Sequence, residues 1–149
     1  MSQAFRNRFN FIAGAVLILH KDDKVLLQRR KNTDWMDGYY AFMGGGIDGG
    51  ETIIQACIRE AKEELGIHID PNALKIVHVM HSYYPNKYEC FSFFIEALDW
   101  SGTPQIMEPE KADDLIWVSP NNLPEKTVPP VRIALEAIEQ KKFYSTFGF

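Results

Sequence analysis

Apolar positions along this chain follow two rhythms. Residues 9–19 form a run rich in Phe, Ile, Val and Leu that ends at His20-Lys21-Asp22-Asp23. Such a run, bounded by turn residues, predicts a strand. Residues 25–30 form a second strand, and the four-residue connection between them makes the pair antiparallel. Residues 40–43 are a shorter strand feeding a run of glycines. Residues 75–83 and 88–98, joined across Pro85-Asn86-Lys87, read as a hairpin, and residues 115–118 as the last strand. Residues 31–38, 68–74 and 100–111 are polar connections, the second with Asp70-Pro71-Asn72 turn chemistry.

The second rhythm is helical. Residues 51–65 contain neither proline nor glycine and stop at Gly66, which predicts a helix of about four turns. Val131, Ala134, Leu135 and Ile138 repeat the period in residues 131–142, entered through Pro129 and Pro130. The aromatic tail, residues 143–149, is expected to dock on the body. Strands, helix, strands and helix in that order predict an α/β protein with a mixed β-sheet between helices.

On the first helix, a step of about 100° per residue puts Glu60, Glu63 and Glu64 on one face. Cys57, Ala61, Ile54, Leu65 and Ile58 form a core-facing stripe, about opposite those acids. Arg59, four residues before Glu63, is in reach of it for an ion pair. Three like charges on one face usually mean a solvated surface. A glycine-rich loop immediately upstream, Gly44-Gly45-Gly46, gives a second reading. Carboxylates beside backbone that permits close approach suit a hard divalent cation carrying phosphate oxygens.

Composition narrows the classes. With 149 residues, the chain holds one domain, residues 1–149, with a substantial core. A net charge of −4 offers no electrostatic case for binding nucleic acid or a membrane surface. Cys57 and Cys90 make no disulfide framework and read as buried thiols, which fits a cytoplasmic location. Arg6 and Arg8 before an apolar run mimic a signal peptide, but the apolar segment ahead of Ala13-Gly14-Ala15 is too short for one. No stretch is long enough to span a membrane. His78 and His81, three apart on a predicted strand, face opposite sides and do not make a paired metal site.

The spacing that remains is specific. Gly45, five residues, Glu51, seven residues, then Arg59-Glu60-Ala61-Lys62-Glu63-Glu64-Leu65-Gly66-Ile67 resembles the signature of the Nudix hydrolases at its fixed positions. Ala61 stands where an aliphatic residue is usual, Met43 where a proline often precedes the glycines, and Asp48 where Glu is common. The flanking elements resemble the Nudix-type α/β/α sandwich, and Glu108-Pro109-Glu110-Lys111 followed by Leu115-Ile116-Trp117-Val118 resembles a bacterial subgroup close to MutT.

The resemblance implies hydrolysis of a nucleoside diphosphate linked to another group, with Mg²⁺, or Mn²⁺, as cofactor. It implies Glu60, Glu63 and Glu64 as metal ligands, with the Gly44 carbonyl and Glu108 (preferred to Glu110) as further ones. Glu60 is also a candidate general base, and Arg59 a catalytic-site residue that holds Glu63 and Glu51 in place. Glu63→Gln is expected to abolish metal-dependent turnover. Gly45, Gly46, Arg29 and Trp35 are expected at the substrate, Trp35 by stacking on a base. A nucleoside triphosphate, including an oxidised purine nucleotide, is the leading substrate class. ADP-ribose or another dinucleoside-type diphosphate is the alternative. Eight residues before the first strand lean away from the N-terminal strands of dimeric ADP-ribose enzymes, and monomer and homodimer both stay open. A nucleotide-sensing module without catalysis is a third reading, disfavoured because every acid of the signature is present.

Overall fold

The computed structural model describes residues 8–149, so Arg6 lies outside the described residues. Eight strands form one mixed sheet: β1 (Ile12–Lys21), β2 (Lys24–Arg30), β3 (Tyr40–Ala41), β4 (Met43–Gly46), β5 (Leu74–Tyr84), β6 (Tyr88–Ala97), β7 (Ala112–Val118) and β8 (Tyr144–Phe147). Two helices, α1 (Ile53–Leu65) and α2 (Pro129–Glu139), cover its two faces. This is the α/β/α arrangement that the pattern predicts.

The layers follow from alternation along β1. Ala15, Leu17 and Leu19 point to the α1 side and join Cys57, Ala61, Leu65, Ile67 and Ile95 in one core. Ile18 points the other way, into a second core with Val25, Leu27, Phe94, Val131 and Ala134. Strand β1 is the branch point. It runs parallel to β6 along one edge, while its other edge pairs with β4 through Gly14–Leu17 and turns into β2 at His20 and Lys21. β2 lies against β7 on its far side, and β3 covers Gln28 and Arg29 on the near side.

Several elements depart from the expected bounds. Helix α1 begins at Ile53, because Thr52 caps it: its hydroxyl accepts from the Gln55 N–H at 3.1 Å, and the Gln55 side chain accepts from the Thr52 N–H at 2.8 Å. Glu51 is thereby left out of the helix. The acids are not opposite the core. Ala56, beside them on the wheel, is fully buried, and Glu60 and Glu64 turn onto the flank that meets β4. The three glycines are a strand, not a loop. A Cβ on Gly44 would collide with the Ala15 carbonyl, so only glycine lets β4 lie this close to β1. β7 starts at Ala112, three residues before the expected Leu115, drawn out by pairing to Arg30 through a bulge at Arg29. The tail docks as expected, and does so as a strand, β8, parallel to β5.

Both histidines behave as the alternation predicts. His78 is buried between the Lys142 carbonyl at 2.9 Å and the Ser145 hydroxyl at 2.6 Å, and His81 faces the other side, paired with Glu89 at 2.8 Å. Cys57 and Cys90 are free thiols, the first buried and the second half-buried. Among the described residues, no helix is long and apolar enough to cross a membrane.

Candidate active site

The site is the seam between α1 and β4. In an antiparallel pair, a residue that exchanges hydrogen bonds with its partner directs both its N–H and its C=O to that side. Ile47 N–H donates to the Ala13 carbonyl at 3.1 Å, so alternate residues of β4 face β1 and the others face away. Two contacts on the outward edge agree. Gly44 N–H donates to Glu64 at 3.1 Å, and the Gly46 carbonyl accepts from Arg59 at 3.1 Å. The Gly44 carbonyl therefore opens onto the same edge, beside Glu64. Gly45 has no room for a side chain, because a Cβ there would overlap the Glu60 carboxylate. Glycine at 44 and 45 thus brings two glutamates of α1 onto bare backbone.

Arg59 ties the seam together. It donates to Glu51 at 2.6 and 3.0 Å and to Glu60 at 2.9 Å, with Glu63 at 3.5 Å and Asp48 at 3.5 Å. Glu51 reaches back in turn to accept from the Asp48 N–H at 2.8 Å. The hydrogen bond to Arg59 holds the Glu51 carboxyl below its usual range, and the same bond raises the guanidinium's own proton affinity. The expected partners of Arg59, Glu51 and Glu63, are both found, and Glu60 and the Gly46 carbonyl are added.

The three glutamates occupy different surroundings. Glu64 is the deepest. Burial, and then repulsion from Glu60, push its pKa up to about 8. Burial also raises that of Glu60, against the opposing pull of Arg59. Glu63 is more than half exposed. Glu108 enters from the loop after β6, which is pinned to the C-terminal end of α1. Gln105 and Met107 donate to the Leu65 and Glu64 carbonyls at 3.0 and 3.1 Å, satisfying acceptors that the helix leaves open. Glu108 is then close enough to raise the proton affinity of both Glu60 and Glu64. Lys111 pairs with it at 3.2 Å, and the two line a narrow cleft with Gln28, Glu64, Ile106 and Ala112.

The donor set fits a divalent cation. It consists of carboxylate and carbonyl oxygens, and a half-buried acid that resists ionisation is stabilised as an anion when a cation arrives. Among the described residues, no three acidic, histidine or cysteine side chains already converge on one point. Arg59 accounts for that spread, since it draws Glu60 and Glu63 toward itself.

The arginines and the tryptophan fall out differently from expectation. Arg29 turns to the surface, paired with Asp113 at 2.7 Å and lying over Tyr40, whose hydroxyl bonds Asp114. Arg30 is the inward one. It donates to the Trp35 carbonyl and the Thr33 hydroxyl, both at 2.8 Å, and its guanidinium lies 4.9 Å from the Trp35 ring centre. Burial lowers its pKa, opposed by the charges of Asp37 and Glu64, which puts it within electrostatic reach of the seam. Trp35 is half-buried against Arg30 on one side and Tyr84 on the other, at 6.0 Å. Arg30 and Lys111 are the residues that sequence reasoning passed over. Strand alternation put one of the two arginines on the site's side without saying which. A surface groove of about 800 Å³ lies against α2 between His20, Leu123 and Arg132, and it shares no residue with the seam.

A helix bearing Arg-Glu and Glu-Glu pairs, laid along a glycine strand at the branch point of an α/β/α sheet, defines a Nudix fold. A solved MutT NUDIX hydrolase from Burkholderia pseudomallei superposes with a TM-score of 0.79 at 28% identity, over 85% of this chain and 97% of that one. The chain belongs to the NUDIX domain family, whose model matches residues 10–138. An 8-oxo-dGTP diphosphatase from Proteus vulgaris is 31% identical over 90 residues, 60% of this chain and 77% of that protein. An ADP-ribose pyrophosphatase from Methanocaldococcus jannaschii is 46% identical over 50 residues, 34% of this chain and only 29% of that protein's length.

Proposed function

We propose that the chain is a divalent-cation-dependent pyrophosphohydrolase whose substrate is a nucleoside triphosphate, cleaved to the monophosphate and pyrophosphate. One observation carries the reading: Glu60 and Glu64, both resisting ionisation, face bare glycine backbone with Glu108 within electrostatic reach. A cation arriving between such acids would stabilise their charged forms and displace the proton. Glu60, Glu64, Glu108 and the Gly44 carbonyl would hold it, with Glu63 reached directly or through water, and Mg²⁺ suits oxygen donors combined with substrate phosphate. When bound, the ion neutralises phosphate charge and makes water more acidic.

The chain's own groups supply the rest. Arg30 and Lys111 both bring positive charge within electrostatic reach of Glu64, and phosphoryl transfer requires positioning and neutralisation more than covalent chemistry. Water oxygen would bond to one phosphorus of the α–β linkage, the α–β bridging oxygen would leave on the other product (pyrophosphate or the nucleoside monophosphate), and Glu60 would take the proton from the water. Arg59 keeps Glu60 oriented. The Trp35–Tyr84 pair beyond Arg30 offers apolar ring surface to a base.

The triphosphate reading is supported by the longer match to the diphosphatase named for 8-oxo-dGTP. The shorter, more similar match keeps ADP-ribose as the second reading. A panel of nucleoside triphosphates, oxidised purine nucleotides, ADP-ribose and nucleotide sugars, incubated with Mg²⁺ or Mn²⁺ and resolved by product, tests both. Monophosphate plus pyrophosphate is expected. AMP plus ribose phosphate at higher kcat/KM moves the assignment to the second reading. Thermal stabilisation by nucleotides with no product marks a non-catalytic binding module.

A further inference from the structure

Among the described residues, no helix covers one stretch of the sheet. On the α1 side, that helix protects Ala15, Leu17 and Leu19 of β1 and Ile95 and Ala97 of β6. The opposite ends of the same strands carry rings instead. Ala13 pairs with Phe91 and His81 pairs with Phe91, so these positions share that face. Phe11 packs on Phe91 at 4.9 Å between ring centres and Phe9 on Phe11 at 5.1 Å. His81 stacks on Phe91 at 4.6 Å, and Phe149 closes over His81 at 4.7 Å and Tyr83 at 5.6 Å. Tyr144 joins them by alternation, since its neighbour Ser145 bonds His78 on the other face.

We propose that this aromatic face is the contact surface for a second copy of the chain, forming a two-fold dimer. Size and charge favour that occupant. Phe149 is 71%, Phe9 63% and Tyr144 54% exposed, with Phe11 and Tyr83 each more than a third exposed. At about 200 Å² per aromatic side chain, they leave roughly 500 Å² of ring surface per chain. Two such faces together remove about 1,000 Å² from water, the lower bound for a specific interface. The polar pair within the patch, His81 with Glu89, is hydrogen-bonded internally at 2.8 Å. A net charge of −4 disfavours an anionic lipid surface or nucleic acid on the same face. Rings that meet edge to face are self-complementary about a two-fold axis, which needs only one patch.

At this area the dimer is weak, with a dissociation constant on the order of 10–100 μM. Sedimentation velocity from 5 to 500 μM (concentrations chosen to bracket about that range) tests it. The wild-type chain is expected to pass from monomer to dimer across the series. The double variant Phe9→Ser/Phe149→Ser is expected to stay monomeric, with unchanged far-UV circular dichroism and unchanged turnover per chain. Leu98→Ser removes an apolar side chain that is 70% exposed beyond the covered end of β6, and it is expected to dimerise like wild type. A wild-type chain that remains monomeric at the highest concentration overturns the proposal, whether or not it sediments with phosphatidylcholine vesicles. Equal dimerisation of the double variant, or equal loss in Leu98→Ser, also overturns it.

Discussion

The α1–β4 seam and the segment from Arg30 to Gly38, within electrostatic reach of each other through Glu64 and Arg30, are built on opposite plans. In the seam, the backbone is regular strand and helix, and several side chains tie the two elements together: Arg59 to Glu51, Glu60 and Glu63, Glu64 to Gly44. In the segment, the backbone is irregular. Asn32, Asp34, Met36 and Gly38 all have positive φ, and one half-buried arginine, Arg30, gathers the turn through the Thr33 hydroxyl and the Trp35 carbonyl. Left-handed backbone at non-glycine residues costs energy that the surroundings must offset. The seam is thus held by several side chains between regular elements, and the segment by one side chain gathering an irregular loop. A seam so held suits chemistry shared across a family, while a loop hung on one arginine suits a feature that varies with the substrate.

The sharpest break comes at the seam. Glu64→Gln keeps the shape and the hydrogen bond from Gly44 and removes the charge, so metal-dependent turnover is expected to fall by about 10³-fold or more with the fold retained. Glu63→Gln, also expected from the sequence to abolish turnover, alters an exposed group and is expected to cost less than Glu64→Gln. Steady-state rates at saturating Mg²⁺, with circular dichroism on each variant, rank the two. A larger loss at Glu63 would reverse the order of depth along the helix face.

The next contrast is between neighbouring glycines. A Cβ at Gly45 meets the Glu60 carboxylate, and a Cβ at Gly46 meets nothing within 4 Å. Gly45→Ala is therefore expected to lower turnover by about 100-fold, since a small displacement of a positioned group is costly. Gly46→Ala is expected to stay within about 2-fold of wild type, as an open substitution on an exposed edge should. Similar losses in both would mean that β4 needs glycine for its backbone and not for the approach of Glu60.

On β2, the paired arginines separate the two plans. Arg30→Lys removes the fork that bonds Thr33 and Trp35 and is expected to raise KM about 10-fold with a smaller change in kcat. Arg29→Lys, at an exposed ion pair with Asp113, is expected to change neither by more than about 2-fold. Equal effects at both positions would place the substrate on the wrong side of β2.

The same contrast explains what could be read in advance. The order of elements, both helices, the hairpin and the acid-bearing face were legible because each rests on local periodicity or on a spaced signature within one helix and its approach. The choice of Arg30 over Arg29 was not, because alternation sends the two to opposite faces, and which face meets α1 is known only once Leu26 and Gln28 are seen on that side. Trp35 was legible as an aromatic near the site but not as a ring pressed between Arg30 and Tyr84, since Tyr84 is 49 residues away along the chain. Lys111 was not legible, and Glu108 was expected only from the family resemblance; both come to the seam on a loop that Gln105 and Met107 bond to the end of α1, a contact that depends on the folded helix end. β8 escaped notice because four residues pairing in parallel with β5 carry too short a pattern to distinguish from an ordered tail.

The smallest predicted effect concerns the protein without its cation. An unfolded glutamate ionises near its usual value of 4.5, whereas folded Glu64 holds its proton to about 8. Between those values the folded chain binds more protons than the unfolded one, so stability falls as pH rises through that window. Glu60, shifted the same way by burial, adds to the slope. In chelator, the melting temperature is expected to drop by about 5 °C between pH 5 and 8 relative to Glu64→Gln, whose amide does not titrate. Added Mg²⁺ should remove most of that difference, because a cation replaces the proton as the partner of the buried carboxylate. If the two proteins melt in parallel across the pH range, Glu64 is already ionised in the free protein. The cation would then have no proton to displace, and the seam would differ from the segment in geometry alone.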